Sequence, residues 1–360
     1  MNRSVFVIAE AGVNHDGEIA KALALVDLAA EAKADAVKFQ TFVPEEVISR
    51  FAPKAEYQER TTGASESQLE MVRKLALSEA EHHQLVAHCL RRGIRFLSTP
   101  FDHPSLDFLA NGLRLDTLKI PSGEITNAPL LLAVARAAKK VIVSTGMCTL
   151  ADIEQALGVL AFAWTGGEQP SPAAFSAAFA SDAGRRSLQE RVALLHCTTE
   201  YPAPFEDVNL RAMDTLANVF RLPVGLSDHT PGIAVALAAV ARGASIIEKH
   251  ITLDRSLPGP DHAASLSPAE LKDMVAGIRQ VELALGSEAK QPAPSEIKNM
   301  KIARKSLVAR RPIRAGQIWG VEDLTAKRPG DGVSPLRYWD YLGTPANRDY
   351  SADEAVDPRN

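Results

Sequence analysis

A strand-sized apolar run recurs eight times in this chain, and a stretch of helical character follows each one. The runs are VFVIAE (5–10), AVKFQ (36–40), RFLST (95–99), TLKIPS (117–122), KVIVST (140–145), VALLHC (192–197), PVGLS (223–227) and SIIEKH (245–250). Most are continuously apolar and not alternating, the signature of strands covered on both faces. Helix signals lie between them: Ser78 with Glu81, Thr149 with Asp152, and Ser267 with Pro268 and Glu270 at N-termini, and Gly93 and Gly286 at C-termini. Eight such alternations predict a (β/α)8 TIM barrel. A doubly wound open sheet is the rival, but AGVNHDG after the first strand lacks the GxGxxG phosphate loop of that fold.

Two segments depart from the repeat. Residues 164–190, rich in Gly, Pro, Ser and Ala, are expected to form a flexible surface insertion. Beyond 285 the character changes. GSEAKQPAPSEIKNM reads as a linker, and KSLVARRPIRAGQIW onward shows short alternating strands, turns and no helical period. The expected organisation is a catalytic barrel over 1–285, a linker over 286–299 and a small β-rich domain over 300–360.

Composition narrows the class. Hydrophobic residues make up 46% and charged residues 23%, an ordinary globular balance. A formal net charge of -4 leaves no basic surplus for nucleic-acid binding. Three cysteines, Cys89, Cys148 and Cys197, form no CxxC pair, so a reducing, cytoplasmic location is expected. The apolar stretch near residue 5 is too short for a signal-peptide core and no run approaches membrane length, so neither a signal peptide nor a membrane partner is expected.

Almost every strand run stops on something polar, and barrel enzymes draw their chemistry from the C-terminal ends of the strands. Lys38 and Lys119 lie inside apolar runs, where a cation needs an anionic partner or loses its proton. The bland reading is an internal salt bridge to Glu10 or Glu124. The functional readings are a Schiff-base lysine and, with Thr99, Ser122, Ser144 and Ser227 nearby, a clamp for phosphate or carboxylate. His229 and His250 end adjacent strands and could meet at one ion. In VGLSDHTPG (224–232), Ser227, Asp228 and His229 suggest a hydrolase triad. Neighbours on an extended chain point to opposite faces, so that reading fails.

The motifs IAEAGVNHDG, AVKFQT, FLSTPF, KIPSGEITN, STGM, LLHCTTEYPAPF, GLSDHT, EKHITLD and GPDHAASL, in that order, resemble the sialic acid synthase family. That family includes N-acetylneuraminate, legionaminate and pseudaminate synthases. The tail (KSLVARRPIRAGQ, KRPGDG, LGTPANRDYSADEA) resembles its C-terminal antifreeze-like SAF domain. The resemblance implies condensation of phosphoenolpyruvate with an open-chain N-acetylated hexosamine, giving a nine-carbon 2-keto acid and phosphate. N-acetylmannosamine is the expected sugar, and a 2,4-diacetamido-6-deoxy sugar of the legionaminate route is the alternative. A Schiff-base aldolase using Lys119 and a noncatalytic sugar-binding protein are the other readings.

By motif, the resemblance implies phosphoenolpyruvate contacts from Lys38, Thr99, Lys119, Ser122, Ser144, Thr199, Tyr201 and Ser227. Thr199 stands where some relatives have Asn. His229 and His250 match manganese ligands, with Mg²⁺ or Co²⁺ as possible substitutes. Glu10, Glu124 and Asp261 match carboxylates around the sugar and the metal water, Glu124 being the candidate base. Arg328 matches an arginine that reaches the sugar's N-acetyl group from the other subunit, which implies a domain-swapped homodimer.

Overall fold

The computed structural model describes residues 4–56, 58, 59 and 66–358. The chain divides into two compact units, Met1–Gly286 and Ser287–Asn360. In the first, eight parallel strands form a nearly closed TIM-type barrel: β1 (Phe6–Gly12), β2 (Ala36–Thr41), β3 (Arg95–Pro100), β4 (Thr117–Ile120), β5 (Lys140–Ser144), β6 (Val192–Cys197), β7 (Val224–Asp228) and β8 (Ile246–His250). The hydrogen-bonded order is β3-β2-β1-β8-β7-β6-β5-β4. Between the two end strands Arg95 reaches across, its Nη2 donating to Asp116 Oδ1 and Thr117 Oγ1, both at 2.8 Å.

Strand periodicity builds the site. Ile8, Ala36, Leu97, Ile142, Leu195 and Ile246 form an apolar plug inside the barrel. Successive side chains alternate faces, so the residues two positions further on also point inward, one layer higher. Those residues are Glu10, Lys38, Thr99, Ser144, Cys197 and Glu248. The plug is tightly filled: a Cβ on Gly225 would come 2.3 Å from the Ile246 carbonyl and 2.8 Å from Leu195 Cδ2. Leu195 is fully buried, and its truncation to Ala costs about 2–5 kcal/mol.

The helices follow their local signals. Glu79–Arg92 opens on a Ser78/Glu81 capping box and closes on Gly93 at φ 69°. Its acidic first turn (Glu79, Glu81) and basic last turn (Arg91, Arg92) both oppose the helix dipole. Capping boxes also start Leu150–Trp164 (Thr149 with Asp152) and Pro268–Leu285 (Ser267 with Glu270).

The 164–190 segment is not a flexible excursion. It forms the helices Pro172–Ala180 and Asp182–Arg191, N-capped by Ser171 and Ser181. Alanine favours helix, and Phe175 supplies an apolar anchor, its ring meeting Phe162 edge-on at 5.2 Å. Leu188 is buried beside them.

The helix Pro294–Ala303 begins inside the expected linker. In the second unit β9 (Ser306–Ala309) pairs antiparallel with β10 (Leu324–Lys327). Its core holds Leu307, Ile313, Trp319, Leu324, Tyr341 and Tyr350. A short helix, Tyr338–Tyr341, interrupts a tail expected to be free of helix. Among the described residues no helix is long and apolar enough to cross a membrane.

Candidate active site at the barrel mouth

A cavity of about 300 Å³ opens at the C-terminal ends of the strands. Every predicted site residue except Glu124 and Arg328 lines it. At its floor four buried charges interlock. Lys38 Nζ lies 2.6 Å from Glu10 Oε2 and 3.6 Å from Glu248 Oε2. Lys119 Nζ donates to Glu248 Oε1 at 3.0 Å, as does Ser227 Oγ at 2.8 Å. Lys38 Nζ also donates to Thr99 Oγ1 at 3.1 Å.

Burial alone would raise the Glu248 carboxyl, but Lys119 and Lys38 hold it well below the usual carboxylate range. Burial raises Glu10 to about 7 against the pull of Lys38. Burial also lowers the Lys119 ammonium despite Glu248, while Glu10 and Glu248 outweigh burial at Lys38 and raise it. Two cations and two carboxylates thus sit in a poorly solvated pocket, where an arriving anion would compete for both ammonium groups.

Glu248, a strand-end carboxylate expected beside the two histidines, is the partner that sequence reasoning did not assign to Lys119. Lys119 was expected to pair with Glu10 or Glu124 and instead finds Glu248 across the barrel. Its signal was present: Glu248 registers opposite Ser227 in the β7–β8 ladder and shares its face.

Hydroxyls surround the charges. Ser144 Oγ and Thr199 Oγ1 are buried with no hydrogen-bond partner among the described residues. Such atoms are costly unless something pairs with them, and an anion's oxygens would do so. The Gly146 amide donates to Ser122 Oγ at 2.9 Å. A Cβ at Gly146 would fall 2.3 Å from Thr199 Oγ1 and 2.8 Å from Ser122 Oγ, so the wall needs glycine there.

Two imidazoles stand beside this floor, with ring centroids 5.4 Å apart. His229 Nδ1 lies 2.7 Å from the Thr198 carbonyl, which sets the tautomer that keeps a lone pair on Nε2. His250 Nδ1 is buried without a hydrogen-bond partner among the described residues and lies 3.7 Å from Asp261 Oδ2. Burial, reinforced by His229 and Lys38, holds His250 well below its ordinary value, so it is neutral as a metal ligand must be. Burial raises Asp261 to about 6. The Tyr201 ring stacks on His229 at 4.1 Å and meets His250 edge-on at 5.6 Å.

Among the described residues no three His, Cys, Asp or Glu side chains converge at metal distance. The lone pair of His229 Nε2 and the unpartnered, buried His250 Nδ1 are the two ring donors present, a set that could hold a divalent ion with its remaining positions open to water and substrate.

Loop contacts place Asp261. Asn14 Nδ2 donates to Ile251 O and Ser265 Oγ, both at 2.8 Å, and Ser265 Oγ donates to Asp261 O at 2.7 Å. His262 Nε2 meets Asp16 Oδ1 at 2.9 Å. The polar letters of AGVNHDG thus tie the loop after β1 to the loop after β8.

Two predicted residues fall elsewhere. Glu124 is half-buried and not among the lining residues, and its Oε2 accepts from Asn127 Nδ2 at 2.7 Å. Arg328 lies exposed in the second unit, its Nε donating to the Ala303 carbonyl at 3.0 Å. Sequence reasoning also missed an apolar wall built by Phe42, Val47, Ile48, Met71, Val72 and Leu75, with Gln58 beside it. That segment carries no local motif.

Comparison with known proteins adds names to this geometry. The NeuB family profile matches residues 25–290, and the SAF domain profile matches residues 304–358. The chain is 48% identical to the N,N'-diacetyllegionaminic acid synthase of Campylobacter jejuni, over 98% of this chain and 99% of that protein. It is 44% identical to the Legionella pneumophila protein of the same name, over 96% and 92% respectively. A crystal structure of the N-acetylneuraminic acid (sialic acid) synthetase of Leptospira borgpetersenii, in complex with citrate, superposes with a TM-score of 0.66. That match has 33% identity and covers 83% of this chain and 91% of the other.

Proposed function

The chain belongs to the NeuB family of sialic-acid-type synthases, and from that premise we propose its reaction and its sugar. The enzyme joins phosphoenolpyruvate to an open-chain 2,4-diacetamido-6-deoxy hexosamine, forming a nine-carbon 2-keto acid of the legionaminate type and releasing phosphate. The reaction class rests on the buried Lys38–Glu10 and Lys119–Glu248 network beside unpaired hydroxyls. The choice of sugar reverses the expectation of N-acetylmannosamine. The legionaminic acid synthases stand at 48% and 44% identity, against 33% for the N-acetylneuraminic acid synthetase. The apolar wall of Ile48, Met71, Val72 and Leu75 supports the same choice, since it suits a C6 methyl.

Lys38 and Lys119 hold the phosphate and carboxylate of phosphoenolpyruvate, with donors from Ser144, Thr199, Ser122, Thr99 and Ser227. C3 of the enol attacks the sugar aldehyde, and the positive charge left at C2 is captured by water. Glu10, raised by burial toward neutrality, is the cavity carboxylate best suited to take that water's proton. Glu124 acts here only if it leaves the Asn127 amide. The tetrahedral species then expels phosphate against the two ammonium groups. His229 and His250 would hold a divalent ion, with Mn²⁺ preferred over Mg²⁺ or Co²⁺, which when bound supplies Lewis acidity toward the aldehyde oxygen. Asp261 and Tyr201 orient the sugar beside them. The same reading includes a domain-swapped homodimer in which the partner subunit's Arg328 meets the sugar's N-acetyl group.

Phosphate release from phosphoenolpyruvate, measured with each sugar in turn, tests this. The expected result is a higher kcat/KM for the diacetamido deoxy sugar. A higher value for N-acetylmannosamine would overturn the sugar, and no release with either would overturn the reaction. If Arg328→Ala leaves the sugar KM untouched, the swapped contact is wrong.

A further inference from the structure

Asp228 and Thr230 flank His229, and Lys249 precedes His250, yet none of these three lines the cavity. Asp228 and Lys249 are register partners in the β7–β8 ladder and face the helix side, opposite to Ser227 and Glu248. Lys249 Nζ donates to Asp228 Oδ2 at 2.7 Å, and both side chains are fully buried at 0% exposure. The same ammonium donates to the Thr230 carbonyl at 2.6 Å. Asp228 Oδ1 in turn accepts from the Thr230 amide at 2.9 Å and the Thr230 hydroxyl at 2.8 Å. One ammonium on β8 therefore grips the residue before and the residue after His229, while its own backbone leads directly into His250.

We infer that the Asp228–Lys249 pair is a positioning device that sets the separation between His229 and His250. A buried ion pair gives no general stability advantage over apolar residues of similar volume, so its presence at this register calls for another role. The two imidazoles also differ in how they are held. His229 has a hydrogen bond from the ring to Thr198 O, whereas His250 Nδ1 has no such partner among the described residues. The placement of His250 relative to His229 thus depends on packing and on its backbone, and Lys249 fixes that backbone to the β7 end. Neither Asp228 nor Lys249 touches substrate; each acts through the imidazoles. The inference rests on the reading that those imidazoles hold a divalent ion.

The test replaces the pair with apolar residues of similar size, Asp228→Leu with Lys249→Met, and reads three quantities on the full chain. These are the thermal midpoint, the Mn²⁺ dissociation constant from the electron paramagnetic resonance signal of free Mn²⁺, and the imidazole separation in crystals of both proteins. The expected result is a folded protein whose Mn²⁺ affinity falls about tenfold or more, the size of loss that outer-shell changes cause at metal sites. Its ring separation should also depart from the 5.4 Å of the parent. A folded double variant with unchanged affinity and unchanged separation overturns the inference. Should that variant not fold, Asp228→Asn keeps the Oδ1 acceptor for Thr230 and removes the charge together with the Oδ2 acceptor of Lys249. It should weaken Mn²⁺ by a smaller factor, and an unchanged constant there also overturns the inference. A parent protein that binds no Mn²⁺ refutes the metal reading instead, and the ring separations then decide the positioning claim.

Discussion

Lys38→Met removes the cation that faces Glu10 and keeps a side chain of similar length. Lys38 Nζ is 2.6 Å from Glu10 Oε2, and the two side chains are 4% and 1% exposed. Glu248 keeps Lys119 at 3.0 Å and Ser227 at 2.8 Å, so the deficit falls on Glu10. Leaving one partner of a buried pair uncompensated costs about 3–5 kcal/mol. At about 2–4 °C per kcal/mol for a unit of this size, the thermal midpoint at about pH 8 should fall by ~6–20 °C. The loss should depend on pH in a definite direction. Burial already raises the Glu10 carboxyl to about 7, and removing Lys38 raises it further. The native state then binds a proton more tightly than the unfolded chain, so stability rises as pH falls through the native pKa toward the ordinary carboxylate value. The deficit at about pH 5, where Glu10 is neutral, should therefore be the smaller one. Adding Glu10→Gln to Lys38→Met should recover most of it at high pH, while phosphate release stays lost in both. Calorimetry of the parent, Lys38→Met, Glu10→Gln and the double variant at the two pH values settles the matter. An equal deficit at both pH values, with no recovery in the double variant, would refute the electrostatic account.

Three further outcomes are expected. Chelation should abolish phosphate release and added Mn²⁺ restore it, and His229→Ala or His250→Ala should lower turnover far more than the thermal midpoint; full activity in rigorously metal-free protein would sink this. Gly146→Ala places a Cβ 2.3 Å from Thr199 Oγ1, so it should cost about 1–3 kcal/mol and raise the KM for phosphoenolpyruvate. An unchanged KM would show that the Ser122–Thr199 wall does not hold the anion. Trp319 is 1% exposed in the core of the second unit, and Trp319→Ala should cost that unit about 3–5 kcal/mol; an unaltered unfolding transition would contradict the packing described.

The barrel was legible because two local signals agree at most strands: a continuous apolar run, and a polar residue two positions beyond an inward apolar one. Ile8 to Glu10, Leu97 to Thr99, Ile142 to Ser144 and Ile246 to Glu248 all follow that step. The misses share a different origin. The 164–190 helices depend on Phe175 finding Phe162, and the wall of Ile48, Met71 and Leu75 depends on a motif-free segment folding over the mouth. Such pairings are tertiary and leave no period in the chain. The same holds for the partner of Lys119. Parity says that Lys119 points inward, but it is silent on which inward carboxylate lies across the barrel. In the strand order β4 is one end and β8 is an interior member, so no ladder register relates them. Only closure brings Lys119 within 3.0 Å of Glu248, because an eight-stranded barrel is just wide enough for side chains to fill its interior. Glu10 pairs with Lys38, its register partner on β2, and Glu124 with Asn127 three residues along the chain. Those two local pairings, and not the cross-barrel contact, are why Glu10 is proposed as the base in place of Glu124.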